Sequence, residues 1–522
     1  MKPNFLFLFF LVGLFLSAIF VAETVQATLS LPSATFTVND TTDLIDDNVF
    51  DGVCRTANNT CTLRAAVMQS NALSGAHTIN VPAGTFVLTV YGSDPNYDGT
   101  AGDLNLKGNL TINGAGVQST IIDGSAIDRV FDIDNTAIVT ISGVTIQNGN
   151  VRFNSGGAIR NQFNGRLTLS DTRIFSSTSL TWGGGIYNNG TVILTNVIVD
   201  GNFADQGGGI WNTGTITVTQ STLSNNQCTA YAGGVGNTGS AYFANTIITA
   251  NRAFSNASPT TALGGGFLNS GNAILSNVTI ISNTASYHSG GIVTGGNLTI
   301  FASTIMSNSA IYSAGMLATG TLTMNNSTVL NNQSAFGGIV TIGGVATLTN
   351  VTVSGNSAGA MAGIDNAGQI TLTNVTINNN QVTRTPNLAT SIYNGYNSTS
   401  VVYLKNTIVA NDGSFPNCKS DMGIGIISLG NNLNSDNTCN LTSTGDLTNT
   451  NPFLGPLANN GGATLTHALL TGSPAIDKGT NIGCPPTDQR GMPRPLGARC
   501  DIGAYEFSDT YPFALILPVI RK

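Results

Sequence analysis

At 522 residues the chain is longer than one compact core usually allows, so several domains or one elongated array of repeats is expected. Only 9 % of residues are charged, against roughly 25 % in an ordinary soluble domain, yet 41 % hydrophobic residues and a mean hydropathy of +0.15 exclude a disordered chain. A net charge of −7 and a pI near 4.8 exclude the basic footprint of a nucleic-acid binder, and no polybasic stretch marks a lipid headgroup partner.

The chain opens like an export signal. Lys2 supplies the positive start, the run from Phe5 to Val21 is apolar apart from Gly13 and Ser17, and Val25-Gln26-Ala27 has the form of a cleavage site. Residues 1–27 therefore read as a signal peptide, with an uncleaved membrane anchor as the alternative. The expected location is secreted or at the cell surface, in the cell envelope. Cysteine usage agrees. Cys54/Cys61, Cys418/Cys439 and Cys484/Cys500 are sequence-local pairs outside the repeats, as expected of disulfides in an oxidising compartment. Metal binding competes, but no pair has the CxxC spacing and no His lies close enough to complete a site. In "DDNVFDG", Asp46, Asp47, Asn48 and Asp51 offer calcium hard oxygens, though not at the twelve-residue loop spacing. No other cofactor is expected.

From Cys61 to Leu73 the residues Leu63, Ala66, Val67, Ser70 and Leu73 make a helical stripe. A helix pinned by Cys54–Cys61 would plug the open end of a repeat array. The stretch "FTVNDTTDLIDDNVFDGVC" followed by "CTLRAAVMQSNA" resembles the CSLREA domain of exported bacterial β-helix proteins, and "GDLNLKGNLTINGAGVQSTIIDG" looks like its usual continuation. The family's Glu is Ala65 here, so any ion pair of that Glu with Arg64 has no counterpart. The resemblance implies an N-terminal cap over residues 28–80.

The middle of the chain repeats. The apolar residue closing triplets such as Val-Thr-Ile recurs as Ile146, Ile174, Val199, Leu223, Ile248, Ile280, Ile305, Val329, Val353, Ile377 and Val409. Most intervals are 24 or 25 residues, with one of 28 and two of 32, which points to a solenoid. The leucine-rich skeleton is absent, and Thr, Val, Ile, Asn and Gly are poor helix formers. Within a unit, Val192 and Leu194 share one face and Val197 and Val199 share one, out of phase by a residue, so the chain bends at Asn196. Asn245, Asn277, Asn326, Asn350, Asn374 and Asn406 hold the same position and are expected to form an amide ladder along the axis. A second Asn column follows: Asn202, Asn226, Asn251, Asn283, Asn308, Asn332, Asn356 and Asn380. Glycine pairs and triplets then mark a sharp corner. Three short strands and three corners per coil predict an all-β, right-handed parallel β-helix, the pectin-lyase-like solenoid, over residues 81–412. Eleven coils stack to a rod of about 50 Å. Cys228 falls in the column of Ala204, Ala253, Ala285, Ala310 and Ala358, which predicts a small buried residue. The extra residues of both 32-residue intervals follow the second Asn column, so both loops leave the same edge.

Downstream, "NPFLGPLANNGGATLTHALLTGSPAIDKG", "DQRGMPRP" and "CDIGAYEF" are similar to the choice-of-anchor Q domain, which implies a C-terminal module over 413–507, into which the β-helix continues as an option, and a cell-envelope or secreted protein. "GGAI" at Gly156 to Ile159 also resembles the repeats of polymorphic outer-membrane proteins, which end in a membrane barrel. The short apolar tail, 508–522, is too short to span a bilayer as helix or barrel.

The same fold hosts pectin-lyase-like enzymes, but a fold alone carries no function. From Gln206 to Ile364 the only formally charged residue is Arg252, so those coils cannot supply proton transfers. Charge gathers at Arg160, Asp171, Arg173, Asp200 and Asp205, and at Asp477, Asp488, Arg490, Arg494, Asp501 and Glu506, which read as solvated ion pairs holding loops. Were there a hydrolase site, Asp171 and Asp200 would be its carboxyls. The stronger signal is aromatic: Arg160, Tyr187 and Trp211 follow the glycine corner outwardly and Trp182 precedes it, a place where a sugar ring can stack unless the rings merely support each other. The expectation is a non-catalytic exported scaffold, adhesion-type and glycan- or surface-binding, with no nucleic-acid partner; the alternative is a polysaccharide lyase or glycoside hydrolase.

Overall fold

In the computed structural model, residues 33–509 are described except 93, 95, 256–261, 385–387, 396 and 412–414; the stretch read above as a signal peptide and nearly all of the apolar tail lie outside them. The chain winds into a parallel β-helix whose like segments stack into sheets of 23, 13 and 10 strands. One coil contains the segments Ile210–Asn212, Thr215–Thr219, Thr222–Ser224 and Gln227–Tyr231. The cross-section thus has four straight pieces where three were expected. The glycines are the reason: they do not open the third strand but divide it from a fourth. Gly207 adopts φ +65°, and a Cβ on Gly208 would collide with the Gln227 carbonyl, so only glycine lets neighbouring coils close up here.

The interior follows the parity read from the sequence. Val192, Leu194, Val197 and Val199 are all buried, as are their partners one coil on, Ile216, Val218 and Leu223. Alternation brings this about, because strand side chains point in and out by turns. The two phases meet at Asn196, whose φ of 55° lies in the left-handed region, and the same turn recurs at Asn245, Asn277, Asn326, Asn350, Asn374 and Asn406. Asn tolerates this region better than most side chains. The amide ladder expected there is broken, however, because Gln220 and Ala302 hold the bend in their coils. Only pairs remain: Asn277 donates to Asn245 at 2.7 Å, Asn350 to Asn326 at 3.2 Å and Asn406 to Asn374 at 3.3 Å, while Asn196 donates to Asp171 at 2.6 Å.

The unbroken ladder is the second column. From Asn202 to Asn380 every side-chain amide donates to the next Asn Oδ1 at 2.9–3.0 Å, wholly inside the rod. A third column, Asn161, Asn188, Asn212, Asn237 and Asn269, runs likewise beside the opposite corner. Cys228 pairs in register with Ala204 and Ala253, is fully buried, and burial raises its thiol pKa. The long insertions follow Arg252–Ala253 and Gln381–Val382, strands of one sheet, so they do leave the same edge.

Helix α1 (Leu63–Ala72) covers the first coil, its N-cap Thr62 accepting from the Ala65 N–H. Leu63, Ala66 and Val67 join the same core as Ile79 and Leu104. Arg64, buried on α1, has its own carboxylate: Asp43 accepts from Nε at 2.7 Å and Nη2 at 3.1 Å. All three cysteine pairs form disulfides, and Cys54–Cys61 stands beside this helix.

The second disulfide corrects the expectation that the bridges lie outside the repeats. Cys418 opens the strand Cys418–Ser420, which pairs with Ile392–Asn394, and both Cys418 and Cys439 are buried in the solenoid core. The reason is that the coils run on past 412, with Leu433–Asn434 also pairing onto an earlier coil. Cys484–Cys500 does lie beyond the coils. Its two ends differ: Cys484 is half-buried, whereas Cys500 is fully buried and its carbonyl accepts the Gly479 N–H at 2.8 Å.

After the last coil the chain turns back along the rod. Leu465 accepts from Thr328 Oγ1 at 2.8 Å, Gln489 Oε1 from Thr352 Oγ1 at 2.7 Å, and the Ala504 N–H donates to Thr376 Oγ1 at 2.9 Å. Thr328, Thr352 and Thr376 are one register column, so the returning segment lies lengthwise on a single face. The charged residues here are not solvated, contrary to expectation. Asp488, Arg494, Asp501 and Glu506 are buried, with Arg494 paired to Glu506 at 3.1 Å and donating to the Asp501 and Gly503 carbonyls. They serve as an interior framework because this segment is loop-rich, its one sheet being the antiparallel pair Leu454–Ala458 and Thr466–Leu469, and must satisfy most of its backbone by other means.

Candidate functional site

The outward column of the thirteen-stranded sheet runs Asn105, Asp132, Arg160, Tyr187, Trp211, Gly236 in register. Its charged members are locked together. Asp132 is buried and accepts from Arg160 Nε at 2.9 Å, from its Nη2, and from Gln162 at 3.1 Å. Burial works against the Arg160 charge, but Asp132 outweighs it and holds the guanidinium pKa above its ordinary value. Below it Arg129 pairs with Asp103 at 2.5 Å.

The aromatic residues divide by accessibility. Trp182 is 42 % exposed and its ring stacks on Tyr187 at 6.3 Å between centroids, whereas Trp211 is 9 % exposed and lies across Gly236. A Cβ at Gly236 would collide with Trp211 Cε3, and Ala232 and Leu268 close the indole from the side. Trp211 is therefore packing, and the open ring of this corner is Trp182.

Beside Arg160 and Tyr187 lies an open cleft of about 670 Å³. Its walls include Tyr97 and Phe163, 55 % and 62 % exposed, together with Asn135, Asn154, Gln162, Asn189, Lys107 and Asp134. Sequence reasoning missed both walls. Phe163 sits in the turn Gln162–Gly165, which is two residues longer than the turns Asn189–Gly190 and Thr213–Gly214 of the next coils. The 28-residue interval between Ile146 and Ile174 was its signal. Tyr97 comes from the long connection that precedes Leu104–Leu106, outside the regular repeat.

The two candidate carboxyls are not brought together. Asp171 stands at the exposed bend, while Asp200 pairs in register with Phe175, four residues on. Four strand residues span about 13 Å, beyond the roughly 5–9.5 Å that glycoside hydrolysis uses. Asp200 is engaged: burial pulls its pKa up, but bonds from Asn225 at 2.8 Å, Arg173 at 2.7 Å and Ser224 at 2.9 Å prevail and hold it below the ordinary value. In the acidic stretch near the N-terminus, Arg55 takes the place foreseen for calcium. It pairs with Asp47 at 3.0 Å and Asp51 at 3.4 Å, while Asp46 accepts the Asn48 and Arg55 N–H groups.

No protein-family model matches the chain, and no curated protein matches it. Among solved structures it is similar to one described as the crystal structure of pectate lyase Pel9A, at 14 % identity over 92 % of this chain and 98 % of that one, with a TM-score of 0.30. So low a score carries no argument, and the β-helix assignment rests on the strand pairing itself. Among the described residues no helix is long and apolar enough to cross a membrane.

Proposed function

We propose that the protein is an exported, non-catalytic rod of the cell surface or its surroundings that holds glycan in the cleft between Tyr97 and Phe163. The observation that carries this reading is that two exposed rings and several side-chain amides line one cleft with an Arg160 already fixed by Asp132. Rings offer stacking faces, amides both donate and accept, and a pre-ordered guanidinium loses little entropy on binding. Three disulfides and the resemblance of both ends to modules of exported envelope proteins support the location. A glycan array probed with the full chain tests the reading. Hits should be lost in Tyr97→Ala and Phe163→Ala and weakened in Trp182→Ala. Release of product from uronate polymers or neutral glycans, abolished by Asp200→Ala, would overturn it in favour of an enzyme.

A further inference from the structure

We propose that the glycan of the cleft is a linear, uncharged polysaccharide whose chain runs on along the neighbouring corner of the rod, over Trp182, Tyr231, His288 and Tyr312. This inference rests on the glycan reading and extends it from a pocket to a track. The two surfaces join at one ring. Tyr187 lines the cleft, and Trp182, across the corner of Gly183 to Gly185, stacks on it. From Trp182 a column of side chains follows the axis of the rod. Trp182 pairs in register with Gln206 and Gln206 with Tyr231, and single bridges carry the column through Leu263 and His288 to Tyr312. None of the six is buried. A strand spacing of about 4.8 Å spreads them over about 24 Å. That step is close to the length of one sugar unit in an extended chain, so successive units meet successive side chains. Beyond Tyr312 the Phe336 ring, 50 % exposed, follows at 6.1 Å between centroids, with the Arg384 guanidinium over it at 4.9 Å.

The chemistry of the column suits sugar. Rings give a face to the C–H side of a pyranose, and a polar tip beside each ring serves its hydroxyls. The hydroxyls of Tyr231, Tyr287 and Tyr312 and the Gln206 amide make no hydrogen bond among the described residues, so they remain for a ligand. The rings of Tyr287, His288, Tyr312 and Phe336 meet at 35–79°, so no pair is closed face to face. Nothing between the ends selects charge. From Gln206 to Ile364 only Arg252 is formally charged, and its guanidinium lies over Phe254. Burial lowers the His288 pKa, and its Nδ1 is shut off from solvent without a hydrogen-bond partner, so the imidazole stays neutral. A uronate polymer would therefore lose hydration along the column with no cation in return, whereas a neutral chain has no charge to desolvate. A solenoid presents such a surface because each coil repeats the position of the last.

The test is calorimetric titration of the full chain with cellobiose, cellohexaose, mannobiose and mannohexaose, with hexagalacturonate as the charged comparison. At least one neutral hexamer should bind about tenfold more tightly than its own dimer, with no dependence on salt, and more tightly than hexagalacturonate. Tyr312→Ala and Phe336→Ala should each weaken that hexamer about threefold or more and leave the dimer unchanged, while Phe163→Ala loses both. Phe336 is half exposed, so its variant keeps the test open should Tyr312→Ala fail to fold. Equal affinities of dimer and hexamer, a hexagalacturonate that outbinds both neutral hexamers, or hexamer binding untouched in both ring variants would overturn the track and leave the cleft standing. Absence of binding by every oligomer, dimers included, would remove the cleft reading and the track together.

Discussion

Asn308→Ala should cost the rod several times what Asn277→Ala costs, although both residues belong to columns spaced alike in the sequence. Asn308 Nδ2 donates to the Ile280 carbonyl and Asn332 Oδ1, both at 3.0 Å, and its Oδ1 accepts the Asn283 backbone N–H at 2.9 Å and Nδ2 at 3.0 Å. All of this is inside the rod. Truncation orphans the Asn283 N–H at about 1–3 kcal/mol and removes three further bonds at about 0.5–1.5 each, for a total of about 2.5–7.5 kcal/mol. Asn277 makes one exposed bond, to Asn245, worth about 0.5–1.5 kcal/mol, and Ala302 already occupies that bend in the next coil with φ 48°. Urea denaturation of both variants reads the difference. Hydrogen exchange on the adjacent coils localises it, because solenoid stability is passed between neighbours. Equal costs within about 1 kcal/mol would refute the argument that burial, not the Asn column as such, sets the energy.

Asp43→Asn should destabilise the capped end by about 3–5 kcal/mol, because it strands the buried Arg64 charge; a shift in denaturation midpoint equivalent to less than about 1 kcal/mol would contradict this. Burial first, then the Glu506 charge, pushes Asp501 up to about 7, and burial pushes Asp103 up to about 6 against the pull of Arg129. Both folded values exceed the ordinary 3.8, so the stability these carboxyls contribute is complete below that value and is lost as pH rises through 6 and 7. Carbon NMR of the carboxyls should show those midpoints, and Asp103→Asn should flatten part of the fall in Tm over that range. Cys228 should resist thiol reagents in the native protein and react as the one free thiol in urea, since it is buried and its pKa is raised; reaction in the folded state would place it elsewhere.

The period, the inward columns, the Asn bend, the cap helix and the cysteine pairing are legible in the order of residues alone. The period and its columns are nearest-neighbour properties: a stacked coil repeats the same steric and parity demands about every 24 residues, so the pattern itself reports which side chains point inward. Part of the cleft is legible too, through Arg160 and Tyr187 on one corner. What the pattern could not state is where the coils end, which drew Cys418 and Cys439 into the core, or which outward positions stay outside. Asn196 is exposed while Asn350 is covered, because the Thr487 carbonyl accepts from Asn350 across 137 residues of sequence. Trp211 is covered by its neighbours, and Tyr97 reaches the cleft from a connection that obeys no period. A column fixes the stacking of like on like, but contact with a segment far along the chain leaves no periodic trace. Only the folded chain decided which faces of the rod meet solvent, and with them where a ligand can lie.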